Sequence, residues 1–143
     1  MAATTVQLYT DGGARGNPGP AAIGGIMRNA ADGSVVETFR RYLGERTNNQ
    51  AEYEALLEGL IRAKKIGATH VECFLDSQLI VEQMNRTYRV KDHELAKLFV
   101  KVWNAAQGFS KIHFRHIPRE HNVAADCLVN QAIDEEIAAR DSL

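Results

Sequence analysis

The sequence contains few cysteines and no long apolar run. Cys73 and Cys127 are the only two cysteines among 143 residues, which is too few for a disulfide scaffold, and their surroundings lack zinc-finger spacing. We therefore expect a reducing, cytoplasmic environment. No apolar run approaches the roughly 20 residues that a membrane span requires. The opening segment MAATTVQLYTDGG lacks the charged and apolar regions of a secretory signal, so we expect no membrane association.

A strong charge of either sign is also lacking. The net charge is −1, which argues against a strongly basic nucleic-acid-binding protein. Apolar residues make up 45% and charged residues 24% of the chain, so disorder is excluded and one domain over residues 1–143 is expected. Residues 86–119 nevertheless hold 8 Lys and Arg against 2 Asp and Glu. A solvated helix face explains this segment as well as a binding surface does.

The spacing of apolar residues changes along the chain, from alternation typical of strands to the three- and four-residue spacing typical of helices. Alternating residues predict strands, and apolar residues at helical spacing predict helices. The predicted strands cover residues 4–10, 21–29, 34–43, 70–76 and 111–117, and the predicted helices cover residues 48–66, 77–86, 93–107 and 122–139. Residues 11–20, DGGARGNPGP, are predicted to form a loop because they are dense in glycine, asparagine and proline. This order predicts a mixed sheet with helices on its faces.

The first helix carries clear terminal signals. Thr47 is followed three residues later by Gln50, which is the spacing of a capping box. Gly67 stands where a C-terminal stop is expected. These signals predict a helix that begins immediately after Thr47.

Four acidic residues occupy positions that simple solvation explains poorly. Asp11 and Asp76 are predicted at the ends of strands, whereas Glu52 and Asp126 are predicted near the starts of helices. Strand ends and helix N-termini are where open α/β sheets bind ligands. Each residue alone is better explained by turn formation or by the helix dipole.

Together, the four carboxylates predict a metal site. Clustered carboxylates repel each other and their pKa values rise unless a cation is present. Oxygen ligands select Mg²⁺ or Mn²⁺ over Zn²⁺. Two such ions activate a water molecule and stabilise the leaving oxygen of a phosphodiester.

Five segments, in order and spacing, resemble the type 1 ribonuclease H family. The resemblance extends over about residues 5–135. The segments are Tyr9-Thr10-Asp11-Gly12-Gly13, Gly16-Asn17-Pro18-Gly19-Pro20, Thr47-Asn48-Asn49-Gln50-Ala51-Glu52, Leu75-Asp76-Ser77-Gln78 and Asn122-Val123-Ala124-Ala125-Asp126.

The resemblance implies a fold and an activity. The family fold is a five-stranded mixed sheet of order 3-2-1-4-5, with strand 2 antiparallel, flanked by helices. Family members are endonucleases that hydrolyse the RNA strand of RNA–DNA hybrids with two Mg²⁺ ions and leave 5′-phosphate and 3′-hydroxyl ends. The partner implied for this chain is therefore an RNA–DNA hybrid, and the implied cofactor is a pair of Mg²⁺ or Mn²⁺ ions bound together with the substrate.

The resemblance also implies residue roles. Asp11 is implied as the ligand shared by both ions, Asp76 as its partner at the water-activating ion, and Asp126 and Glu52 as the ligands that complete the two sites. Glycine allows close approach of the backbone to the substrate, and amide side chains suit base edges and sugar hydroxyls. The substrate-binding residues expected on this basis are Gly12, Gly13, Asn17, Thr47, Asn48, Asn49 and Gln78.

Two parts of the chain depart from longer family members. Some members carry a histidine that assists proton transfer in the loop before the last helix. We expect His121 in that role, with Arg119 as an alternative that also contacts substrate, and neither residue as a third possibility. The basic protrusion of many members is reduced here to Asn85–His93, which lacks tryptophan, so we predict a short form with modest affinity for hybrids.

Alternatives to a hybrid-specific nuclease remain open from the sequence. One is a hybrid-binding module without catalysis, against which the four intact carboxylates argue. Another is a related nuclease that also cuts double-stranded RNA. No oligomer interface is legible in the sequence, so a monomer is the default expectation.

Overall fold

The computed structural model describes residues 4–142. Residues 1–3 and 143, which the prediction of one domain over residues 1–143 includes, lie outside the described residues. The strands are β1 (Thr5–Ala14), β2 (Gly19–Asn29), β3 (Val35–Arg46), β4 (His70–Leu75) and β5 (Lys111–His116). The helices are α1 (Asn48–Lys65), α2 (Gln78–Met84), α3 (His93–Ala106) and α4 (Val123–Asp141), with a short 3₁₀ helix at Arg119–His121.

The strands form one mixed sheet in the order β3-β2-β1-β4-β5. β2 is antiparallel to both of its neighbours, whereas β1, β4 and β5 run parallel. This confirms the predicted five-stranded sheet, its order and its antiparallel second strand. Parallel strands need crossover connections, and α1 supplies the one between β3 and β4, while α2 and α3 supply the one between β4 and β5.

The predicted loop over residues 11–20 is mostly wrong. β1 continues to Ala14, which pairs with Ala21, and β2 already begins at Gly19. The turn is therefore only four residues long, and it is closed by a bond of 2.8 Å from the Arg15 N–H to the Pro20 carbonyl. Glycine and asparagine indicated a turn there, but cross-strand pairing extends both strands into it. Asp11 consequently lies within β1 and not at its end.

Helix α1 begins as predicted. The Thr47 hydroxyl accepts a bond of 3.2 Å from the Gln50 N–H, and the Gln50 side-chain oxygen accepts one of 2.9 Å from the Thr47 N–H. This reciprocal pair is a capping box. At the other end, Gly67 adopts φ +83°, a left-handed conformation that glycine tolerates at a helix C-terminus. The two ends together confirm the predicted helix and its boundaries.

The main core lies between the sheet and the helices α1, α2 and α3. Its fully buried side chains include Leu8 from β1, Leu56 and Leu60 from α1, and Leu75 from β4. Because successive strand residues point to opposite faces, Val71, Cys73 and Leu75 present one apolar row to these helices. β4 is thereby held so that its last residue, Leu75, is buried immediately before Asp76.

Helix α4 packs on the opposite face of the sheet. It buries Ala125, Val129, Ala132 and Ile133, and the latter three form a small second core with Ala22 of β2. A Cβ at Gly24 would lie 2.6 Å from the Ala125 carbonyl oxygen, so glycine is required for this close helix–sheet contact. None of the helices described between residues 4 and 142 has the length and apolar character needed to cross a membrane.

Candidate active site

Two strands separate where two of the predicted site residues lie. The parallel pairing of β1 with β4 ends at Tyr9 and Phe74, although β1 continues beside β2. Asp11 therefore lies beyond the last β4 rung, and Asp76 follows β4 directly. The gap opens at the carboxyl end of the parallel strands, which is where α/β sheets bind ligands.

Helix α1 brings a third carboxylate into this gap. Glu52 is 6% exposed, and its Oε1 accepts a hydrogen bond of 2.7 Å from the Gly12 N–H. A Cβ at Gly12 would lie 2.1 Å from the Ala51 carbonyl oxygen. Only glycine therefore allows β1 and α1 to approach closely enough to place Glu52 beside Asp11.

The three carboxylates converge on one point. One oxygen from each of Asp11, Glu52 and Asp76 lies within 4.8 Å of the others. Asp126 projects from the first turn of α4 and lines the same hollow. The structure thus brings all four predicted carboxylates into one hollow, with Asp126 outside the tight group of three.

Burial and mutual repulsion make this cluster unfavourable without a cation. Burial raises the pKa of Asp11 from 3.8 to about 7, and repulsion by Asp76 and Asp126 adds to this. Burial also raises the pKa of Glu52 well above 4.5, and repulsion by Asp11 and Asp76 raises it further. The hydrogen bond from the Gly12 N–H lowers the pKa of Glu52, but by less than burial and repulsion raise it.

These residues fit a hard divalent cation. Every donor in the cluster is a carboxylate oxygen, which is the ligand type that Mg²⁺ and Mn²⁺ prefer. Glu52 Oε2 is buried and has no hydrogen-bond partner among the described residues. A buried carboxylate oxygen without a partner is costly, and a bound cation would remove that cost and the repulsion.

Comparison with known proteins places the chain in a family. The model of the family described as "Reverse transcriptase-like" matches residues 9–132. The chain is 33% identical over 144 aligned residues to the ribonuclease H of Hydrogenovibrio crunogenus, and the match covers 91% of this chain and 96% of that protein. This chain belongs to the ribonuclease H family.

Other relatives are similar over nearly all of this chain. The bifunctional protein Rv2228c of Mycobacterium tuberculosis is 42% identical, with 90% of this chain and 35% of that protein covered; the chain thus spans about a third of that relative. The crystal structure of LC11-RNase H1 in complex with an RNA/DNA hybrid superposes with a TM-score of 0.88 at 43% identity, covering 92% and 99% of the two chains.

Further predicted site residues of this ribonuclease H family member lie around the carboxylates. Gly12, Gly13, Asn48 and Asn49 line the hollow together with Arg119. The Asn48 side-chain oxygen accepts a bond of 2.9 Å from the Ala14 N–H, which ties α1 to the end of β1. Part of the Asn48 side chain is therefore engaged within the protein, and its NH₂ group is the part left for a ligand.

Three other predicted residues lie outside the lining of this hollow. The Asn17 side-chain oxygen accepts a bond of 3.1 Å from the Asn48 N–H, so Asn17 holds the β1–β2 turn against the start of α1. Thr47 is engaged in the capping box. Gln78 is the first residue of α2, and the Ser77 before it caps that helix and lines the hollow.

His121 and Arg119 point to different places. Arg119 lines the carboxylate hollow, and its guanidinium lies 3.8 Å from Asp126 Oδ1. His121 lines a separate hollow with Tyr9, Ile26 and Arg28. The structure therefore brings Arg119 to the carboxylates and does not bring His121 there. The role of either residue in catalysis stays a prediction.

Sequence reasoning missed Asn122 as a site residue. Its side-chain Nδ2 donates to Asp76 Oδ2 at 3.2 Å and to the Thr10 carbonyl at 2.9 Å. From sequence, an asparagine directly before a helix indicates an N-cap, but no side-chain capping bond is made by Asn122. Its burial, at 2% exposure, is a result of tertiary packing, and only the Asn-x-x-x-Asp spacing to Asp126 could have drawn attention to it.

Proposed function

We propose that this chain is a metal-dependent endonuclease that hydrolyses the RNA strand of RNA–DNA hybrids and leaves 5′-phosphate and 3′-hydroxyl ends. The observation that carries the proposal is the convergence of Asp11, Glu52 and Asp76 within 4.8 Å on the chain of a ribonuclease H family member. The names of the relatives and the hybrid complex of LC11-RNase H1 support the substrate class.

The residues proposed to hold two Mg²⁺ or Mn²⁺ ions are the four carboxylates. Asp11 is proposed as the ligand shared by both ions, because one of its oxygens lies within 4.8 Å of those of Glu52 and Asp76 and it lines the same hollow as Asp126. When bound, the ions supply an activated water and stabilise charge on the scissile phosphate. Within the chain, Glu52 Oε1 accepts a hydrogen bond from the Gly12 N–H, and Asp76 Oδ2 accepts one from the Asn122 amide. These hydrogen bonds would hold the carboxylates in position for the ions before the substrate binds.

Substrate contacts are proposed for the residues around the hollow. Gly13 and the NH₂ groups of Asn48 and Asn49, which line the hollow, are proposed to approach the sugar edge of the hybrid, where the 2′-hydroxyl distinguishes RNA from DNA. Arg119 is 81% exposed in its side chain and is proposed to contact a phosphate beside Asp126. Thr47, Asn17 and Gln78 are proposed to contribute from the rim of the site, where Thr47 and Gln78 begin α1 and α2.

The wider assignments are also proposals. We propose a single type 1 ribonuclease H domain over residues 1–143 that acts as a monomer. The connection between α2 and α3 has only the eight residues 85–92, which supports a short form without the basic protrusion. Both cysteines are free, which supports a reducing, cytoplasmic location.

Cleavage of labelled nucleic acids tests the proposed function. An end-labelled RNA–DNA hybrid and the matching double-stranded RNA are incubated with Mg²⁺, with Mn²⁺ and with chelator, beside the variant Asp76→Asn. We expect metal-dependent cutting of RNA in the hybrid, and a loss of at least about a thousandfold in the variant, because several kcal/mol of transition-state stabilisation depend on the ligand. Asp141→Asn, which changes an exposed carboxylate at the far end of α4, is the matched control.

Each alternative has its own outcome. Equal cutting of double-stranded RNA would replace hybrid specificity with a broader nuclease. Hybrid binding without cutting under every metal would establish a binding module. Full activity in Asp76→Asn would overturn the assignment of the metal ligands while leaving the nuclease activity intact.

A further inference from the structure

Asn122 connects the parts of the active site that lie on different elements. Its backbone N–H donates to the Arg119 carbonyl at 2.9 Å, and its carbonyl accepts from the Asp126 N–H at 3.1 Å. Its side chain reaches Thr10 on β1 and Asp76 after β4. One buried residue thus joins the 3₁₀ helix, the first turn of α4 and the separating ends of β1 and β4.

The orientation of the Asn122 amide is determined by its neighbours. The Thr10 carbonyl and the Asp76 carboxylate are both acceptors, so the NH₂ group and not the oxygen must face them. The amide bridges β1 and the residue after β4 just beyond Tyr9 and Phe74, where the pairing of the two strands ends. The Asn122 amide therefore links the two strands at the point where their backbone hydrogen bonding stops, through the Thr10 carbonyl on one side and the Asp76 carboxylate on the other.

Stability alone does not account for an amide at this position. Asn122 Oδ1 is buried and has no hydrogen-bond partner among residues 4–142, and an unpaired buried acceptor is unfavourable. The arrangement is nevertheless suited to holding Asp76, because carboxylates that bind metal are commonly oriented by a second hydrogen bond. A bond to Oδ2 leaves Oδ1 of Asp76 without this partner and available to a cation.

We propose that Asn122 is a positioning residue that fixes the Asp76 carboxylate for divalent-metal binding by donating one amide hydrogen to Asp76 and the other to Thr10. The inference rests on the proposed function for its link to catalysis. Its core claim, a stronger affinity for the metal, holds for the protein without nucleic acid.

Isosteric substitution and metal titration test the proposal. Asn122→Leu retains a side chain of similar shape but removes both donors without adding a charge, and Asn122→Ala removes the side chain. We expect Mn²⁺ binding to the protein alone, measured by calorimetry, to weaken by about 10- to 100-fold in both variants. The Mg²⁺ concentration for half-maximal cleavage should rise similarly, while the KM for hybrid stays within about twofold. Asn104→Leu and Asn104→Ala, at an exposed position on α3, are the matched controls.

Circular dichroism and thermal unfolding separate positioning from folding. A purely structural residue would lower the melting temperature without moving the metal affinity of the folded protein, and that result would overturn the proposal. If both variants failed to fold, the proposal would be tested by an NMR titration of the wild-type protein with Mg²⁺. The NMR signal of the Asn122 side-chain amide should shift when Mg²⁺ is added, and an unmoved signal at saturating Mg²⁺ would also overturn the proposal.

The wild-type reference distinguishes failure of this inference from failure of the proposed function. Wild-type protein that binds Mn²⁺ more tightly than the variants but cuts no hybrid would support positioning and overturn the nuclease assignment. If the wild-type protein cuts the hybrid and the variants bind Mn²⁺ as tightly as the wild type, the nuclease assignment is supported and the positioning role of Asn122 is overturned.

Discussion

The carboxyl end of the parallel strands and the core beneath α1 differ in how their buried polar atoms are satisfied. Within the described residues, the buried side-chain atoms without a partner are Thr10 Oγ1, Glu52 Oε2 and Asn122 Oδ1, all at the carboxylate end. In the core, the buried Tyr53 hydroxyl donates to Gln83 Oε1 at 2.6 Å. One region is built for stability, and the other keeps unfavourable groups that a cation could compensate.

This contrast locates function without reference to conservation. Proteins tend to depart from the rules of stable packing at functional sites. Here the departures are local, because Leu8 on the same strand as Asp11 and Leu56 on the same helix as Glu52 are fully buried. The strand and the helix that carry these two carboxylates are thus anchored in the main core.

The largest effect on stability is expected from breaking the core side of this comparison. Leu56→Ala should lower the free energy of unfolding by about 3 kcal/mol, because it removes a fully buried side chain and leaves a cavity. Denaturant unfolding measures the loss, and Mn²⁺ titration of the folded variant should give the wild-type affinity. Val100→Ala, 53% exposed on α3, is the control and should change stability by less than about 0.5 kcal/mol.

A smaller effect, an increase in the free energy of unfolding, is expected when the repulsion among the carboxylates is relieved. The pKa of Asp11 is raised from 3.8 to about 7 in the folded protein. Between about pH 4 and pH 7, the metal-free folded protein therefore keeps Asp11 protonated, whereas the unfolded chain has lost that proton. The free energy of unfolding should therefore fall as pH rises from about 4 to 7 and then level off. The raised pKa of Glu52 acts in the same direction.

Asp11→Asn should reduce this slope and stabilise the metal-free protein at pH 8 by about 2 kcal/mol. Thermal unfolding in chelator across pH 4 to 8 measures both effects. Asp32→Asn is the control, since Asp32 lies on an exposed turn with a lowered pKa and should leave the slope above pH 4 unchanged. A less stable Asp11→Asn at pH 8 would contradict the electrostatic account of the site.

The boundary of the carboxylate region is tested by Arg119 and His121. Arg119→Ala should lower kcat for hybrid cleavage by about tenfold, because a cation beside Asp126 stabilises developing charge but is largely exposed. His121→Ala should lower kcat less, because its side chain lines a different hollow. A larger loss in His121→Ala would restore the sequence-based preference for His121.

The smallest effect concerns strain outside the carboxylate region. Arg86 adopts φ 66°, and its guanidinium lies 5.3 Å from the centre of the Trp103 ring. Arg86→Ala should destabilise the protein by about 0.5–1 kcal/mol through loss of this cation–π contact. Arg86→Gly should be more stable than Arg86→Ala by roughly 1 kcal/mol, because glycine accepts this backbone conformation. Denaturant unfolding of both variants checks the order.

Prediction from sequence succeeded where the signal is local. The capping box at Thr47 and Gln50 and the left-handed Gly67 were recognisable because each depends on residues a few positions apart. The order of the sheet came from the family resemblance. The predicted loop over residues 11–20 was wrong, because strand pairing extended both β1 and β2 through residues that favour turns.

The gathering of the carboxylates was predicted, but its geometry was not. Sequence placed Asp11, Glu52, Asp76 and Asp126 at strand ends and helix starts, which topology brings together. It could not show that Glu52 is buried against Gly12, that Asn122 reaches Asp76, or that Arg119 faces the carboxylates. These contacts join residues 40 or more positions apart, or depend on the direction of a side chain.

The sequence by itself determined most of the helices and strands, the four acidic residues that gather in one hollow, and the resemblance to the family. These depend on hydrophobic period, capping residues and the order of motifs, which are all properties of the linear sequence. Only the tertiary structure decided which oxygens converge, which pKa values rise and which loop residue faces the site. The physical reason is that burial and Coulomb repulsion depend on distances in space, and these arise when β1 and β4 separate between α1 and α4.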